Sequence, residues 1–332
     1  MNSQNKFNVI STFSGCGGSS LGYKLAGFNI VLAVEWNNNA VKTYKKNFPD
    51  TQIYHGDINK LTLKKVKEMT EIKEKELDVL DGSPPCQGFS MAGKRVLKDN
   101  RNNLYQEYLR LLEGLKPKVF VMENVKGLIT GKMKLIFAEI LKEMKSIGYK
   151  VQAKLMNAKY YNVPQSRERV IFIGVRKDLN IKPSHPKPQS KPKTVRNALK
   201  GVNNKKWELD WVNHIKKSSI YPRIKRMPQG GNYSDYNPTG SGFTLQRINN
   251  DKPCPTIMKT VCHSASSDGL IHPEENRKLT ISEIKRLHSF PDEFKFIGDF
   301  TDQWARIGNS VPPNMMKAIA ENIKNDILNK FK

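Results

Sequence analysis

The sequence predicts an α/β protein with a Rossmann-like mixed sheet and a second, smaller loop-rich domain. Short apolar runs alternate with amphipathic segments up to about residue 175, which is the pattern of strands joined by helices. Polar residues follow directly after several of these runs, as they do at the ligand-binding edge of open α/β sheets. Beyond residue 175 the periodicity is poor, and a chain of 332 residues has room for two domains.

The composition predicts a polyanionic partner. The chain has 56 Lys and Arg against 31 Asp and Glu, a formal net charge of +25. A surplus of this size favours binding to nucleic acid, although it could also serve solubility alone.

The cysteines and the N-terminus indicate a reducing compartment. The four cysteines include no CxxC pair, so we expect neither a zinc site nor a disulfide framework, and no metal cofactor. The N-terminus lacks the apolar segment of a signal peptide, and no apolar run is long enough to span a membrane. We therefore expect a cytoplasmic protein in which a thiol nucleophile would survive. The cysteines are Cys16, Cys86, Cys254 and Cys262.

A glycine-rich loop follows the first predicted strand, 7–10. Its glycines allow a tight turn and a close approach of the backbone to a ligand. The predicted helix 20–26 offers its N-terminus to polar ligand groups. An ordinary tight turn is an equally open interpretation. The loop has neither the GxGxxG spacing nor a Walker A pattern, which disfavours NAD and ATP.

Acidic residues follow the next two predicted strands. Strand 30–34 leads into Glu35 and Trp36, which could grip ribose hydroxyls and cover an adenine face. The third strand leads into Asp57 and Ile58, and Asp57 could accept from an exocyclic amine. Three strand ends that each supply a polar group predict a ligand that contains adenosine but no phosphate. S-adenosylmethionine fits this description.

A stiff loop presents one thiol after the fourth predicted strand. The apolar run 77–80 leads into Gly82, Pro84 and Pro85, and the prolines fix the backbone directly before Cys86. This thiol is either a nucleophile or a buried structural cysteine, and the loop alone leaves both open. The basic segment 91–103 that follows is predicted to be a mobile loop, with a disordered connection as the alternative.

The remaining elements of the first part are predicted from apolar periodicity. They are a charged helix and turn over 59–76, an amphipathic helix over 104–115, a buried strand over 119–122, another helix over 133–147, and two strands over 151–156 and 170–175. The last two strands should be antiparallel neighbours because their connection is short. Glu123 follows the buried strand and could protonate a substrate nitrogen or form a structural salt bridge. Arg167 and Arg169 alternate along a strand, so we expect them on one face.

The second part of the chain is basic and rich in loops. Residues 176–255 contain 17 basic and five acidic residues, a surplus of 12 positive charges. Glycine loops at 228–233 and 239–243 carry amide and aromatic side chains that can read base edges, or else belong to a loop-rich insertion. Thr280 and Glu283 form a capping-box pattern that predicts a helix start. A last helix is predicted over 315–328.

Together these segments resemble the DNA (cytosine-5) methyltransferase family of bacterial or phage type. The resemblance covers nearly the whole chain outside residues 176–253, and the motifs occur in the family's order. The pairing of Pro84-Pro85-Cys86-Gln87 with Glu123-Asn124-Val125 is highly specific. The other matching segments are Phe13 to Gly18, Glu35, Gly56-Asp57-Ile58, Gln165 to Arg169, Arg277 to Asp292 and Gly308 to Pro312.

The resemblance implies an S-adenosylmethionine-dependent methyltransferase fold and a role for each matching residue. The enzyme would flip a cytosine out of duplex DNA and transfer a methyl group from S-adenosyl-L-methionine to its C5 atom. Cys86 would attack C6, and Glu123 would hold and protonate N3. Arg169 would contact the base with support from Gln165 and Arg167, and Pro84 would contact the flipped base.

Two further sets of residues follow from the same resemblance. The cofactor would be held by Phe13, Ser14, Gly15, Cys16, Gly17, Gly18, Glu35, Trp36, Asp57, Ile58, Leu104, Asn309, Ser310 and Val311. The DNA would be contacted by Ser90, Lys94, Arg95, Arg101, Gln229, Gly230, Gly231, Asn232 and Arg247.

The implied domains are a catalytic and cofactor domain of residues 1–178 plus 307–332 and a small domain of residues 179–306. The small domain contains the target-recognition region, about 176–255, and DNA would lie between the two. Double-stranded DNA is the expected substrate, because Gly242-Phe243-Thr244 stands where a transfer-RNA-methylating member carries Cys-Phe-Thr. A monomer is expected, with a cognate restriction endonuclease acting separately. RNA methylation and a DNA-binding module that has lost catalysis are the alternatives.

Overall fold

The chain forms two compact units. The computed structural model describes residues 6–85, 102–131, 133–236, 245–261 and 269–331. The first unit consists of Met1–Met156, Glu168–Lys187 and Met316–Lys332, and the second of Asn157–Arg167 and Pro188–Met315.

A seven-stranded mixed sheet is the centre of the first unit. Its strands lie in the order β3-β2-β1-β4-β5-β7-β6. The strands from β3 to β5 are parallel, and β7 pairs antiparallel with β5. This confirms the predicted α/β fold with a mixed sheet. The strands are β1 Asn8–Thr12, β2 Asn29–Glu35, β3 Gln52–His55, β4 Val79–Gly82, β5 Val119–Val125, β6 Tyr149–Asn157 and β7 Glu168–Arg176.

Helices of the first unit pack their apolar faces on this sheet. They are α1 Gly18–Leu25, α2 Asn38–Asn47, α3 Leu63–Thr70, α4 Asn102–Leu115 and α5 Met133–Ser146. In α4 the buried positions recur every three or four residues, as in Tyr108, Leu112 and Leu115, which is the spacing of one helix face. The Tyr108 hydroxyl also donates to the carbonyl of Val121 in β5 at 3.1 Å. Helix and sheet are thus joined by a buried hydrogen bond as well as by packing.

The C-terminal helix α11, Pro313–Asp326, contributes to the first unit from Met316 onward. Lys324 Nζ donates to the carbonyl of Ala26 at the end of α1, at 3.3 Å. Asn322 Nδ2 donates to the carbonyl of Ser184 at 2.9 Å. Of the residues 307–332 implied for the catalytic domain, those from Met316 onward belong to the first unit, whereas 307–315 belong to the second.

The second unit contains short helices and a small parallel sheet. The helices that lie wholly in it are α6 Val195–Leu199, α7 Lys206–Asn213, α8 Tyr221–Arg226, α9 Ile281–Leu287 and α10 Phe300–Asn309, and the strands are β8 Gln246–Arg247 and β9 Leu270–Ile271. Helix α9 begins with the predicted capping box, because the Thr280 side chain and the Glu283 side chain each accept from the other's backbone N–H. Around Ile215 and Ile224, buried apolar residues form a separate core.

The units divide the chain at other residues than the sequence predicts. Residues 157–167 belong to the second unit, where Ser166 N–H donates to the carbonyl of Cys254 at 2.7 Å. Residues 179–187 belong to the first unit, where His185 Nε2 lies 2.9 Å from the carbonyl of Ile171 in β7. Hydrogen bonds to distant segments, one between backbones and one from a side chain, accompany these placements, and composition does not reveal them. Within the described ranges, no helix is both long and apolar enough to cross a bilayer.

Candidate active site

Polar residues meet at the carboxyl ends of the parallel strands. Glu35 ends β2, Asp81 lies near the end of β4, and Glu123 lies near the end of β5. Directly after β1, Phe13 has a left-handed backbone with φ of 53°. Such a conformation is uncommon for a residue with a side chain and is concentrated at functional sites. The carboxyl edge of this sheet is therefore the candidate site of the first unit.

Glu35 holds the glycine-rich loop in place. Its Oε2 accepts from Gly15 N at 2.8 Å, and its Oε1 accepts from Trp36 N at 3.0 Å and Asn37 N at 2.7 Å. A carboxylate has about four acceptor positions, so these three bonds leave capacity for one further donor. Glu35 can thus position the loop and still accept from one hydroxyl of a ligand.

Two glycines of this loop, Gly15 and Gly17, differ in the space around them. Gly15 has φ of 55°, and a Cβ added there would meet nothing within 4 Å. Gly17 has φ of 95°, and a Cβ would lie 2.4 Å from the Phe48 ring. The space at Gly15 suits the approach of a ligand to the backbone, whereas Gly17 is required by internal packing.

Other residues of the loop use their side chains inside the protein. Ser14 Oγ donates to the carbonyl of Val34 at 3.2 Å, and the Cys16 side chain is buried. A cofactor could meet these two residues only through their backbone. Gly18 begins α1 and has no side chain to offer.

The predicted adenosine contacts lie after two neighbouring strands. Trp36 is 75% exposed, which leaves its indole face open to stacking. Asp57 follows β3, and its Oδ1 accepts from Asn59 N at 3.0 Å, while the Ile58 side chain is buried. Leu104 packs at the edge of the apolar core. An open indole face, an acidic residue with remaining acceptor capacity and the space at Gly15 fit an adenosine-containing cofactor.

Glu123 and Arg169 form an ion pair on adjacent strands. Arg169 Nε lies 2.8 Å from Glu123 Oε1, and the side chains are 14% and 12% exposed. In the β5–β7 register Glu123 faces Ile171 and Val125 faces Arg169, so the pair lies diagonally on one face of the sheet. Arg169 Nη1 also donates to the carbonyl of Glu168 at 2.7 Å. The two bonds hold the guanidinium and carboxylate in a fixed orientation.

Asn124 connects this pair to the loop that carries Cys86. The Asn124 Nδ2 donates to the carbonyl of Pro84 at 3.2 Å, and its Oδ1 accepts from Val125 N at 2.9 Å. The backbone two residues before Cys86 is therefore tied to β5. Cys86 itself lies outside the described residues, as do Ser90, Lys94, Arg95 and Arg101. Sequence reasoning did not assign this role to Asn124, although its place directly after Glu123 was a signal.

Asp81 is a buried carboxyl that sequence reasoning also missed. It accepts from Ser19 Oγ at 2.7 Å and Ser11 Oγ at 3.1 Å, and Tyr23 OH lies at 3.5 Å. Burial, assisted by the nearby Glu123 charge, raises the pKa of Asp81 to about 7. The bond from Ser19 joins the end of β4 to the start of α1.

Gln165 and Arg167 are buried in the second unit. Arg167 Nη1 donates to the carbonyl of Ile257 at 3.2 Å, and Gln165 Oε1 accepts from Ile257 N at 3.1 Å. Strand β7 begins only at Glu168, so Arg167 precedes it. The prediction that Arg167 and Arg169 share one strand face is wrong, because the chain passes from one unit to the other between them.

The predicted cofactor turn at Asn309, Ser310 and Val311 begins at the last residue of α10 in the second unit. Ser310 Oγ donates to the carbonyl of Ile307 at 2.8 Å and closes the helix, while the Asn309 side chain is exposed. The preceding Gly308 lies against the second unit's backbone, where an added Cβ would be 2.3 Å from the carbonyl oxygen of Met258. Asn309 is thus available to a ligand, whereas the Val311 side chain is buried.

In the predicted target-recognition region, Arg247 has a structural environment. Its guanidinium is buried and donates to the carbonyls of Ile224, His272 and Glu275 and to the Asn276 side chain. These bonds oppose the prediction that Arg247 reads DNA, because a guanidinium engaged in this way cannot reach a base.

The neighbouring turn remains compatible with the prediction. Gln229 and Asn232 are exposed, and Gly230 has φ of 84°. Hydrogen bonds of the Gly230 and Gly231 backbones with that of Arg247 fix the turn. Gln229 Oε1 accepts from Asn250 N at 3.0 Å, so the turn presents the amide nitrogen of Gln229 together with the exposed Asn232 side chain.

Residues 7–325 match the family model for C-5 cytosine-specific DNA methylase. The chain belongs to this family. It is 36% identical over 326 residues to the Type II methyltransferase M1.HphI of Haemophilus parahaemolyticus, with 94% of this chain and 85% of that protein covered. It is 36% identical over 344 residues to M.NgoPII of Neisseria gonorrhoeae, with 96% of each covered.

Solved structures of methyltransferases have the same fold. A DNA modification methyltransferase encoded within an E. coli prophage matches with a TM-score of 0.78 and 28% identity, covering 97% of this chain and 99% of that one. The Spodoptera frugiperda DNMT2 structure, at 22% identity and a TM-score of 0.69 over 96% of this chain and 99% of that one, supports the fold alone. The protein is thus a DNA (cytosine-5) methyltransferase, and its family uses S-adenosylmethionine. The resemblance stated from the motifs is confirmed.

Proposed function

We propose that this methyltransferase acts on one cytosine of a specific duplex DNA sequence, using Cys86 as the nucleophile. The observation that carries the proposal is the fixed Glu123–Arg169 pair, joined through Asn124 to the backbone two residues before Cys86. This arrangement ties an acid, a hydrogen-bond donor and the thiol-bearing loop to the ends of neighbouring strands.

The chemistry of cytosine requires these groups together. C5 of cytosine is a weak nucleophile. When the Cys86 sulfur bonds to C6, the ring becomes enamine-like and C5 becomes a stronger nucleophile. Negative charge then develops on the ring, and Glu123, which must take up a proton before this step, relieves it by protonating N3. General acid help of this kind is typically worth about 10² to 10⁴ in rate. Arg169, held by Glu123, can donate to the base. S-adenosylmethionine would supply an electrophilic methyl group to C5 and leave as S-adenosyl-L-homocysteine. Loss of the C5 proton, with return of the N3 proton to Glu123, then lets the carbon–sulfur bond break and restores the Cys86 thiolate.

A stacked base is inaccessible to this chemistry. The target cytosine has to be extruded from the duplex, which costs a few kcal/mol. The basic segment 91–103 is our candidate for covering the flipped base, with Lys94, Arg95 and Arg101 as its DNA contacts and Ser90 as a further contact directly before it. Gln229, Gly230, Gly231 and Asn232 are the candidates for reading the neighbouring bases, and Arg247 is withdrawn from this set.

The cofactor proposal uses the carboxyl edge of the sheet in the first unit. Glu35 would accept from ribose, Trp36 would cover the adenine, and Asp57 would accept from its amine. The backbone at Gly15 would lie against the ligand. Asn309 is the proposed contribution of the second unit. We also propose a cytoplasmic monomer accompanied by a separate cognate endonuclease, supported by the Type II names of its relatives.

Covalent trapping tests the nucleophile. Duplex DNA with 5-fluorocytosine cannot release the C5 substituent after methylation, so the wild-type protein should form a stable adduct in the presence of cofactor. Cys86→Ser should form none while it retains cofactor affinity. Cys254→Ala removes a thiol that is fully buried in the second unit and should still form the adduct.

The same assay distinguishes the substrates. Transfer RNA and duplex DNA should be offered side by side with labelled cofactor, and bisulfite sequencing should locate the modified cytosine. Methylation of RNA alone, or an adduct that persists in Cys86→Ser, would contradict the proposal.

A further inference from the structure

The buried ring of His288 contacts two segments of the second unit. The proposed function assigns one segment to the binding of the base and the other to the binding of the cofactor. His288 is fully buried and follows helix α9. Its Nδ1 lies 2.9 Å from Gln165 Nε2, and its Nε2 lies 3.0 Å from the carbonyl oxygen of Ser310. Gln165 belongs to the proposed support of the base pocket, whereas Ser310 belongs to the proposed cofactor turn.

The hydrogen-bond partners determine where the ring proton lies. Ile257 N–H donates to Gln165 Oε1 at 3.1 Å, so the other end of that amide, the donor Nε2, faces His288. The ring therefore accepts at Nδ1. The carbonyl oxygen of Ser310 can only accept, so the ring donates from Nε2. The Nε2–H tautomer satisfies both partners, and the opposite tautomer satisfies neither.

The surrounding packing keeps this ring from adjusting. Its ring is stacked beside the Phe290 ring, with centroids 5.9 Å apart and planes inclined by 16°. His288 N–H donates to the carbonyl of Ile284 at 2.9 Å, which closes α9 beneath the side chain. A displacement of the Ser310 backbone would thus be opposed by the same ring that orients Gln165.

We infer that His288 is a positioning residue that orients Gln165 and the Asn309–Ser310 turn through one hydrogen-bonded ring. This inference rests on the proposed function, because it takes Gln165 as support for the base and the turn as part of the cofactor site. His288 itself touches neither ligand. It acts through the Gln165 amide on one side and the Ser310 backbone on the other.

Two substitutions separate the two bonds. In His288→Asn the side-chain oxygen can take the place of Nδ1 and accept from Gln165, but nothing reaches Ser310. In His288→Gln the longer side chain can place its amide nitrogen near the former Nε2 and donate to Ser310, but the acceptor for Gln165 is removed. Each variant therefore retains one connection and eliminates the other.

Two readouts report on the two connections. S-adenosylhomocysteine affinity, measured by calorimetry without DNA, should weaken about three- to tenfold in His288→Asn and remain near wild type in His288→Gln, since a buried hydrogen bond typically carries a factor of this size. The rate of adduct formation with 5-fluorocytosine DNA at saturating cofactor should fall in His288→Gln and remain near wild type in His288→Asn. Equal effects of both variants on both readouts, or no effect on either, would overturn the inference.

A matched control separates positioning from stability. His272 is another buried histidine of the second unit, and its Nδ1 accepts from the backbone N–H groups of Glu274 and Glu275. His272→Asn should lower the melting temperature but should not change S-adenosylhomocysteine affinity and the rate of adduct formation to different extents. A separation as large as that in the His288 variants would count against a specific role of His288.

A spectroscopic test reads the tautomer in the wild-type protein and uses a variant only to assign the signal. Nitrogen NMR of the wild-type protein labelled at histidine should show a ring protonated at Nε2 for His288, assigned by its loss in His288→Gln. A proton on Nδ1 would refute the hydrogen-bond chain. A wild-type protein that binds no S-adenosylhomocysteine would instead refute the proposed function, so the two failures can be distinguished.

Discussion

At the scale of single residues, Asp81 shows how burial produces a pH-dependent stability. Its carboxyl is enclosed by hydroxyl donors from Ser11 and Ser19, and the nearby Glu123 carboxylate adds to the effect of burial. Burial raises its pKa to about 7, against about 3.9 for an unfolded chain. Between these values the folded state binds more protons than the unfolded state. Asp81 therefore lowers the free energy of unfolding as pH rises from about 4 to about 7.

Asp81→Asn should remove this dependence, because an amide keeps the shape of the carboxyl and never ionises. We expect the stability of the variant relative to wild type to increase by up to a few kcal/mol between pH 4.5 and pH 7.5, since one pKa unit is worth about 1.4 kcal/mol. Urea unfolding of both proteins across this range measures the difference. Parallel stability curves would show that the carboxyl does not titrate in that window.

The Glu123–Arg169 pair leads to a prediction about catalysis. Glu123→Gln removes the proposed acid while preserving its size, so we expect kcat to fall by about 10² to 10⁴. Affinity for S-adenosylhomocysteine should remain near wild type. Single-turnover methylation and calorimetry measure the two quantities.

A nearby exposed ion pair provides the control. Lys126 Nζ lies 2.8 Å from Glu168 Oε2, with side chains 52% and 38% exposed. Exposed pairs contribute little, so Lys126→Ala should leave kcat within a factor of about two. A comparable loss in both variants would indicate a general electrostatic effect rather than a specific acid.

At the scale of elements, helix α9 depends on its cap. Thr280 is fully buried, its Oγ1 accepts from Glu283 N at 3.1 Å, and it donates to Asn204 Oδ1 at 2.6 Å. We expect Thr280→Ala to lower the free energy of unfolding by about 1 to 2 kcal/mol. Thr194 likewise accepts from a single backbone N–H, but the helix that it caps, α6, has only five residues. Thr194→Ala should therefore lower the free energy of unfolding by less than Thr280→Ala. Chemical unfolding compares the two, and an equal or larger loss in Thr194→Ala would contradict the assignment.

The elements that sequence could predict are those with a local signal. The apolar runs around Val9, Leu32, Leu80 and Phe120 indicate buried parallel strands, and the spacing of Thr280 to Glu283 marks the start of α9. These patterns are complete within a few residues. Local physics is therefore sufficient for them.

Other elements depend on contacts that no local pattern contains. The Asp299 side chain caps helix α10 by accepting from Asp302 N, which is a local signal, whereas the stacking of Phe300 on Trp211 in α7, with ring centroids 3.7 Å apart, is a tertiary contact. The position of β7 between β5 and β6 arises from pairing, not from chain order. These features escaped prediction because tertiary packing, rather than intrinsic preference, forms them.

The candidate site shows the same division. The motifs identified Glu123 and Arg169, but only strand register shows that the two side chains form a pair. Strand alternation predicted that Arg167 and Arg169 share one face, and the pattern could not reveal that the unit boundary falls between them. Arg247 has the residue type of a DNA contact, and only its buried hydrogen bonds show that it supports the fold.

At the scale of the whole molecule, charge should control association with DNA. The net charge of +25 is large for 332 residues, and nearly half of the surplus lies within residues 176–255. Each phosphate that the protein neutralises releases counterions, so the logarithm of the DNA affinity should fall linearly and steeply with the logarithm of the salt concentration. Fluorescence anisotropy with a duplex at several salt concentrations measures the slope.

Substitutions in the basic region test where this dependence arises. Replacement of the neighbouring Lys225 and Arg226 by Gln should reduce the slope by about one for each phosphate that is no longer neutralised. Both side chains are exposed at the end of α8. An unchanged slope would mean that other residues bind the phosphates, and a flat salt response of the wild type would contradict the electrostatic interpretation.

The bond between Lys324 and Ala26 joins residues that are 298 positions apart in the chain. During synthesis, α11 emerges only after all residues of the second unit have been translated. At about 5 to 20 residues per second, the 128 residues from Pro188 to Met315 occupy the ribosome for roughly 6 to 26 s. The carbonyl of Ala26 at the end of α1 must remain without its Lys324 donor for that time, so the first unit stays incomplete until the last helix has been made.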